Sequence, residues 1–258
     1  MVKGLYTAYT GMVNEQNRMD VLTNNLANAS TVGFKKEGST SQSFGDVLTV
    51  KIKDASVGIN NAQRIGVRNP GVRIGENYTD YSQGSYRITD NTYDLALSGD
   101  GFFAIEFTNK AGETSTKYTR AGQFTLNKDG YLVTQDGDYV LDSQSRRIQL
   151  NTLIDSKIDT NGIIYQNGRE VARIQVADFA DYDYLQKYGE TYYEPIEGAQ
   201  LITSDATINS GCLEMSNVQI VSEMVNLIAI TRAYESNQKI IQTYDNTLEI
   251  AANQLGKV

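Results

Sequence analysis

Three stretches of this chain carry residue types and spacings that do chemistry elsewhere. Gly99-Asp100-Gly101-Phe102-Phe103-Ala104 fits the loose G-x-G-x-x-A pattern of dinucleotide-binding loops. That chemistry needs a helix to open directly after the glycines, so that its N-terminus can hold a pyrophosphate. Here the glycines run into Phe102-Phe103-Ala104-Ile105-Glu106-Phe107, which predicts a turn into a strand instead. Ser236-Asn237-Gln238-Lys239 fits the S-x-x-K nucleophile pattern, but the S-D-N and K-T-G elements that complete such a site are missing from the sequence. It reads as the polar face of a helix. Asp178, Asp181, Asp183, Glu190, Glu194 and Glu197 are carboxylates of the kind used in glycosidase pairs or calcium loops. No D-x-D-x-D-G loop accompanies them, and with 31 acidic residues such groupings arise by chance. They predict a solvated acidic edge.

Composition removes further classes. The 258 residues contain no His, which excludes His-based acid–base catalysis and most zinc and haem sites. The single Cys, Cys212, permits neither an intramolecular disulfide nor a cysteine metal cluster. Lys and Arg number 23 against 31 Asp and Glu, a net charge of -8, which argues against nucleic acid or an anionic membrane as partner. The sequence therefore predicts no enzyme, no catalytic residue, no metal and no cofactor. Hydrophobic residues at 40% are ample for a folded core. Met1 to Thr10 lacks the basic and apolar regions of a signal peptide, and the most apolar run, Val225 to Ile230, is too short to span a bilayer.

The elements that would position such residues differ between the ends and the middle. From Leu5 to Asn28, Leu5, Ala8, Met12, Met19, Leu22 and Leu26 recur in steps of three and four with a single interruption at Glu15. That predicts a helix with a narrow apolar seam. Near the C-terminus Ile220, Leu227, Tyr234, Ile241, Leu248 and Leu255 are spaced by seven. Met224, Thr231, Gln238, Asp245 and Ala252 make the second seam position, and Ser216 with Gln219 reads as a capping box that sets the helix start. From Val218 to Leu255 such a helix is a rod roughly 57 Å long. The middle holds short runs of Val, Ile, Thr, Tyr and Phe between Asp-Gly pairs at 100–101, 129–130 and 136–137 and Asn-Gly pairs at 161–162 and 167–168. These dipeptides favour tight antiparallel hairpins. The clearest strands are Phe102 to Phe107, Gln123 to Leu126, Tyr131 to Thr134 and Val171 to Val176. The fold class is thus α+β: long terminal helices paired as an antiparallel coiled coil around a central antiparallel β-domain. Residues 1–30 and 216–258 form the helical part, 31–75 an extended connection and 76–215 the β-domain.

Exposed helices of this length need their apolar faces covered. Packing on each other and on copies of themselves, head to tail, would generate an open helical assembly. Leu5, Met12, Met19, Leu22, Leu26, Ile220, Met224, Leu227, Tyr234, Ile241 and Leu248 are the candidate contact residues. Asn24, Asn25 and Asn28 crowd one helical stretch, either as a fraying last turn or as an amide-lined surface against another helix or subunit.

At this point the residues resemble a known family. Leu22-Thr23-Asn24-Asn25-Leu26-Ala27-Asn28-Ala29-Ser30-Thr31-Val32-Gly33-Phe34-Lys35 resembles the N-terminal signature of the bacterial flagellar rod and hook proteins. Ser216-Asn217-Val218, Glu223 to Ile228 and Arg232-Ala233-Tyr234-Glu235 resemble their C-terminal signature, and Leu95 to Phe103 and Tyr118 to Phe124 match in the middle. The length is similar to that of the rod members of intermediate size. The resemblance implies a structural subunit of the basal-body rod, stacked helically around a channel, transmitting torque and conducting exported subunits. It implies partners in copies of itself, in neighbouring rod and hook proteins and in the flagellar export apparatus, and a place in the basal body reached without a cleaved signal peptide. It also implies an export signal in a short Phe-containing patch after the first helix. Phe44 and Leu48 are the candidates; the other reading packs them beneath the β-domain. The rival functions are a cell-wall hydrolase on a β-scaffold and a soluble adhesin or export chaperone.

Overall fold

The structure, a computed structural model, describes residues 2–52, 62–110 and 112–253. The chain forms two compact units, one of residues 1–26, 37–80 and 219–258, the other of residues 27–36 and 81–218.

The first unit holds both long helices, α1 (Val2–Ala27) and α2 (Ile220–Asn253). They run in opposite directions: Gly4 faces Tyr244, and Gly11 faces Asn237 with room for a Cβ only 3.0 Å from the Asn237 amide nitrogen. Two glycines seven apart let the helices approach closely at one face. On α2 the sheltered positions are Glu223, Leu227, Ile230, Thr231, Ala233, Tyr234, Asn237, Ile241, Tyr244 and Ala251. Of the first seam position, Leu227, Tyr234 and Ile241 are half-buried, whereas Ile220 and Leu248 are exposed. Of the second, Thr231 is half-buried, whereas Met224, Gln238, Asp245 and Ala252 are exposed, and the sheltered flank also runs through 223, 230, 237 and 244. Leu255 lies outside the described residues. The helix start also differs. Ser216 Oγ takes the Val218 N–H at 3.2 Å, a local turn, and the helix begins at Ile220 without a capping box.

The stretch after residue 36, expected as an extended connection, is paired. Glu37–Ser43 lies antiparallel to Val72–Thr79, with a bulge between Ser39 and Ser41. Val47–Ile52 lies antiparallel to Ala62–Arg68. α1 binds this ribbon through polar side chains. Asn25 is fully buried; its amide nitrogen donates to the Glu37 carbonyl at 2.7 Å and its amide oxygen accepts the Glu37 N–H at 2.9 Å. The asparagine thus serves the first residue of the strand as a neighbouring strand would. Asn14 donates to Ser41 Oγ at 3.1 Å, and Thr7 donates to the Pro70 carbonyl at 3.2 Å. Positions 7, 14 and 25 are seven and eleven apart, intervals that return to one side of a helix.

The second unit is antiparallel throughout its described pairings. Its largest sheet centres on Phe102–Thr108, flanked by Thr114–Thr119 on one side and by Tyr139–Val140 and Val176–Phe179 on the other. Successive residues of the central strand enter two cores. Phe103 joins Leu97, Phe124, Leu132 and Ile174 on one face. Phe102 and Ala104 join Phe179, Leu185 and Tyr193 on the other. With both faces covered, Phe102 to Ile105 are all buried, and so the run reads as continuously apolar. The expected strand Val171 to Val176 is two strands, Arg169–Arg173 and Val176–Phe179. Asn167 and Gly168, both at positive φ (52° and 73°), make the tight turn before the first of them.

One buried polar group in this unit is short of protons. Tyr192 Oη lies 3.1 Å from Asp136 Oδ2 and 3.0 Å from Asp138 Oδ2, yet carries a single hydroxyl proton for two carboxylates. Burial pushes the Asp138 carboxyl up, against the hydrogen bonds from Tyr192 and from the Thr108 backbone that hold it down; the Asp136 charge adds to the rise. The native state then binds more protons than the unfolded chain as pH rises from the usual aspartate range of about 4 to that raised value. Stability falls with rising pH across this window. Asp138→Asn is expected to flatten that fall and to raise the urea midpoint at pH 7 above wild type. Unfolding curves at several pH values check this; a lower midpoint at pH 7 with an unchanged slope would contradict it.

Candidate functional site

The most heavily constrained point of the β-unit is the Glu214 carboxylate, which is fully buried. Lys35 Nζ donates to its Oε1 at 2.6 Å, the Gly84 N–H donates to the same oxygen at 3.0 Å, and Arg120 Nη1 lies 3.5 Å from Oε2. Lys35 is 1% exposed and also donates to the Ser82 carbonyl at 2.8 Å. The Arg120 guanidinium is seated 5.3 Å from the centre of the Phe102 ring. Burying these charges is tolerable only because each meets an opposite charge or a polar group.

The main chain is locked at the same place. The Gly33 N–H donates to the Glu214 carbonyl at 2.8 Å, Val32 bridges to Met215, and the Lys36 N–H donates to Asn217 Oδ1 at 2.8 Å. Gly33 sits at φ +70°, and a Cβ there would strike the backbone of Arg120 and Ala121. Gly122 is equally closed, since a Cβ would run into the Leu95 carbonyl, whose residue pairs back through Leu95 N–H to Gly122 O at 2.9 Å. Four separate sequence stretches, around residues 33, 95, 121 and 214, thus meet with backbone against backbone.

The first unit presents the opposite character. Ile220, Val221, Met224, Val225 and Ile228 are all exposed and occupy one side of the first turns of α2, with Val221 at 77% and Val225 at 60%. Among the described residues, only Ala8 and Ile230 are buried hydrophobics in this unit. Leu5, Met12, Met19, Leu22 and Leu26 are half-buried, as are Leu227, Tyr234 and Ile241, while Leu248 is exposed. Asn24 is exposed. Asn25 and Asn28 are buried, Asn25 on its own chain's strand and Asn28 accepting from Thr31 Oγ1 at 3.0 Å. Phe44 is half-buried, with its backbone fixed by Gly71 and Asn69. Leu48 is exposed on the ribbon, opposite the exposed Val67.

The stretches that resembled enzyme motifs have structural roles. Gly99 and Gly101 lead into the central strand. Ser236 and Lys239 are exposed on α2. Asp178 accepts from the Tyr182 hydroxyl at 2.7 Å, Asp181 caps a short 3-10 turn, and Glu194 pairs with Lys117 at 2.8 Å. Among the described residues there is no group of three or more His, Cys, Asp or Glu that could hold a metal, and no helix long and apolar enough to cross a membrane. Sequence reasoning did not single out Lys35, Arg120 or Glu214. A signal was present: each is a charge set among apolar or small neighbours, in Gly33-Phe34-Lys35, Arg120-Ala121-Gly122 and Leu213-Glu214-Met215.

Because the obstacle at Gly33 is main chain on both sides, Gly33→Ala must move a backbone as well as strain its own φ. The expected loss is about 3 kcal/mol or more of β-unit stability. A urea midpoint within error of wild type would show that the segment yields.

Comparison with known proteins agrees with this geometry. Residues 5–35 match the family described as Flagella basal body rod protein, residues 96–166 the Flagellar hook protein FlgE/F/G D1 domain, and residues 209–255 the Flagellar basal body rod FlgEFG protein C-terminal. The chain is 35% identical to the flagellar basal-body rod protein FlgG of Bacillus subtilis, over 98% of this chain and 99% of that one. It is 35% identical to the flagellar basal-body rod protein FlgF of Caulobacter vibrioides and 30% identical to the flagellar hook-basal body complex protein FlhO of Bacillus subtilis, in both cases over the full length of each chain. The three matched regions contain, in order, Lys35, Arg120 and Glu214, so the buried node joins all of them, and the chain belongs to the family of flagellar basal-body rod proteins.

Proposed function

We propose that this chain is a structural subunit of the flagellar basal-body rod that assembles helically with copies of itself and with neighbouring rod and hook proteins. In this reading the terminal helices pair as an antiparallel coiled coil and stack on those of neighbours into a tube. The tube transmits torque and conducts exported subunits. The observation that carries the reading is that, among the described residues, the unit of the helices buries only Ala8 and Ile230 of its hydrophobic side chains, set against the apolar face left exposed on α2. A folded unit that shelters so little apolar surface gains its stability from what covers it. The relatives are named as rod and hook-basal body proteins, not as hydrolases, adhesins or chaperones.

Val221→Asp with Val225→Asp tests it. Both side chains are already in water, so the monomer should keep its fold and its melting behaviour. Each carboxylate would be stranded in an apolar contact, and burying a side chain of this size contributes roughly 1.5–3 kcal/mol. Electron microscopy of concentrated wild-type protein should show tubes or filaments that the variant lacks. Tubes from the variant at wild-type concentration would place the contact elsewhere.

The export reading rests on Phe44 and Leu48, a short pair of apolar anchors legible in an unfolded chain. Phe44→Ala with Leu48→Ala should leave the purified protein folding and assembling nearly as wild type while it accumulates in the cytoplasm. Secretion at the wild-type level would defeat it.

A further inference from the structure

Asn-Gly occurs at 161–162 and at 167–168, and the two pairs stand in different settings within the β-unit. At the first, the Gly162 N–H donates to the Asp159 carbonyl at 2.9 Å, and the Asn161 amide donates to Asp159 Oδ2 at 3.4 Å. Gly162 is buried; its carbonyl accepts the Ile174 N–H at 2.9 Å, and a Cβ on it would lie 2.8 Å from Ile208 Cδ1. Two Asp-Gly turns close in the same way, with the Gly130 N–H on the Asn127 carbonyl at 3.0 Å and the Gly137 N–H on the Thr134 carbonyl at 3.1 Å. The second Asn-Gly lacks this closure. Asn167 and Gly168 are exposed at the tip of a hairpin, between Gln166 and Arg169, which pair across it. Among the described residues neither the Gly168 N–H nor the Asn167 amide has a hydrogen-bond partner, and nothing lies within 4 Å of where a Cβ on Gly168 would stand.

That difference decides a reaction. A backbone nitrogen that follows asparagine can attack the asparagine's own side-chain carbonyl carbon, and glycine, with no Cβ, leaves it room to do so. The nitrogen must first be free of its hydrogen bond, and its peptide free to swing. We propose that Asn167 is a self-modification site, deamidating through a succinimide formed with Gly168, while Asn161 is protected. The Gly168 nitrogen gives its proton to solvent hydroxide and bonds to Asn167 Cγ. The Cγ–Nδ2 bond breaks, the departing nitrogen takes a proton from water, and ammonia leaves. Water then opens the ring at one of its two carbonyls. Opening at the backbone carbonyl routes the main chain through the side chain as isoaspartate; opening at Cγ leaves aspartate. Water and hydroxide are the only co-reactants. Either product adds one negative charge at the hairpin tip. Isoaspartate also lengthens the main chain by a methylene inside a two-residue turn, whose twist matches its strands only while both residues keep positive φ (52° and 73°). The pairing of Ile163–Gln166 with Arg169–Arg173 is thereby loosened.

The test follows both asparagines in purified full-length protein held folded at neutral pH and physiological temperature. Peptide mass spectrometry, with fragmentation that separates isoaspartate from aspartate, reads each site over time. Asn167 should convert at least about fivefold faster than Asn161, the factor imposed by giving up one net hydrogen bond before the ring can close. In concentrated urea the two should convert at nearly equal rates, since glycine follows each. A folded-state ratio near one, or faster conversion of Asn161, would overturn the assignment. So would a ratio that persists unchanged in urea, because the preference would then lie in the sequence and not in the fold. In the aged fraction, hydrogen exchange should be faster than in fresh protein for amides of 164–166 and 169–172 and unchanged for those of 102–108. Unchanged exchange in the hairpin would overturn its loosening.

Discussion

A carboxylate with no access to water must be answered by donors, and the donors available to Glu214 come from parts of the chain far apart in sequence. Lys35, the Gly84 N–H and Arg120 converge on it from three stretches, and its own main chain carries the Gly33 and Val32 contacts. The constraint runs both ways. Glu214 is stable in the interior because its cations meet it, and it answers their charges in turn. The glycines follow from the same crowding. Where main chain must pass main chain, as at Gly33 and Gly122, no Cβ has room. In this chain the three matched stretches thus meet through Lys35, Arg120 and Glu214.

A second polar device acts on α1. A helix offers no free backbone groups along its sides, so a strand beside it has nothing to pair with. Asn25 supplies the missing donor and acceptor through its side chain, satisfying both backbone groups of Glu37. On the same side of the helix Asn14 donates to the Ser41 hydroxyl and Thr7 to the Pro70 carbonyl. The opposite requirement, close approach, is met on another side by Gly4, Ala8 and Gly11. A helix with one polar stripe and one stripe of small residues has little apolar surface left with which to build a core.

Much of this was legible beforehand because it depends on local pattern. Asp-Gly and Asn-Gly pairs mark hairpins through their own backbone preferences, and Phe102 to Phe107 could only be a strand. The terminal helices were legible from seven-residue spacing. Which flank of α2 is sheltered was not legible: Glu223, Ile230, Asn237 and Tyr244 are no more apolar as a series than the neighbouring Met224, Thr231, Gln238 and Asp245. The asparagines were visible as an anomaly, but the partner of Asn25, a backbone 12 residues away in Glu37, is not written in residue types. The node was least legible. Nothing local to Lys35 tells that a carboxylate 179 residues away will meet it.

The two units divide the problem of stability between them. The β-unit covers both faces of its sheet and answers its buried charges internally, so its folding is complete within one chain. The helical unit buries Ala8 and Ile230 and leaves Val221, Val225 and Ile228 in water. Apolar area left exposed is free energy not yet realised, at roughly 25 cal/mol for each Å² covered later. In the proposed rod-subunit reading, the driving force for assembly lies in the part that folding leaves unfinished. Within the β-unit, the contacts at Glu214 fix the course of residues 32–36 and 214–217. If the apolar face were instead sheltered within the monomer, the same residues would contribute to folding and nothing would remain to join one copy to the next.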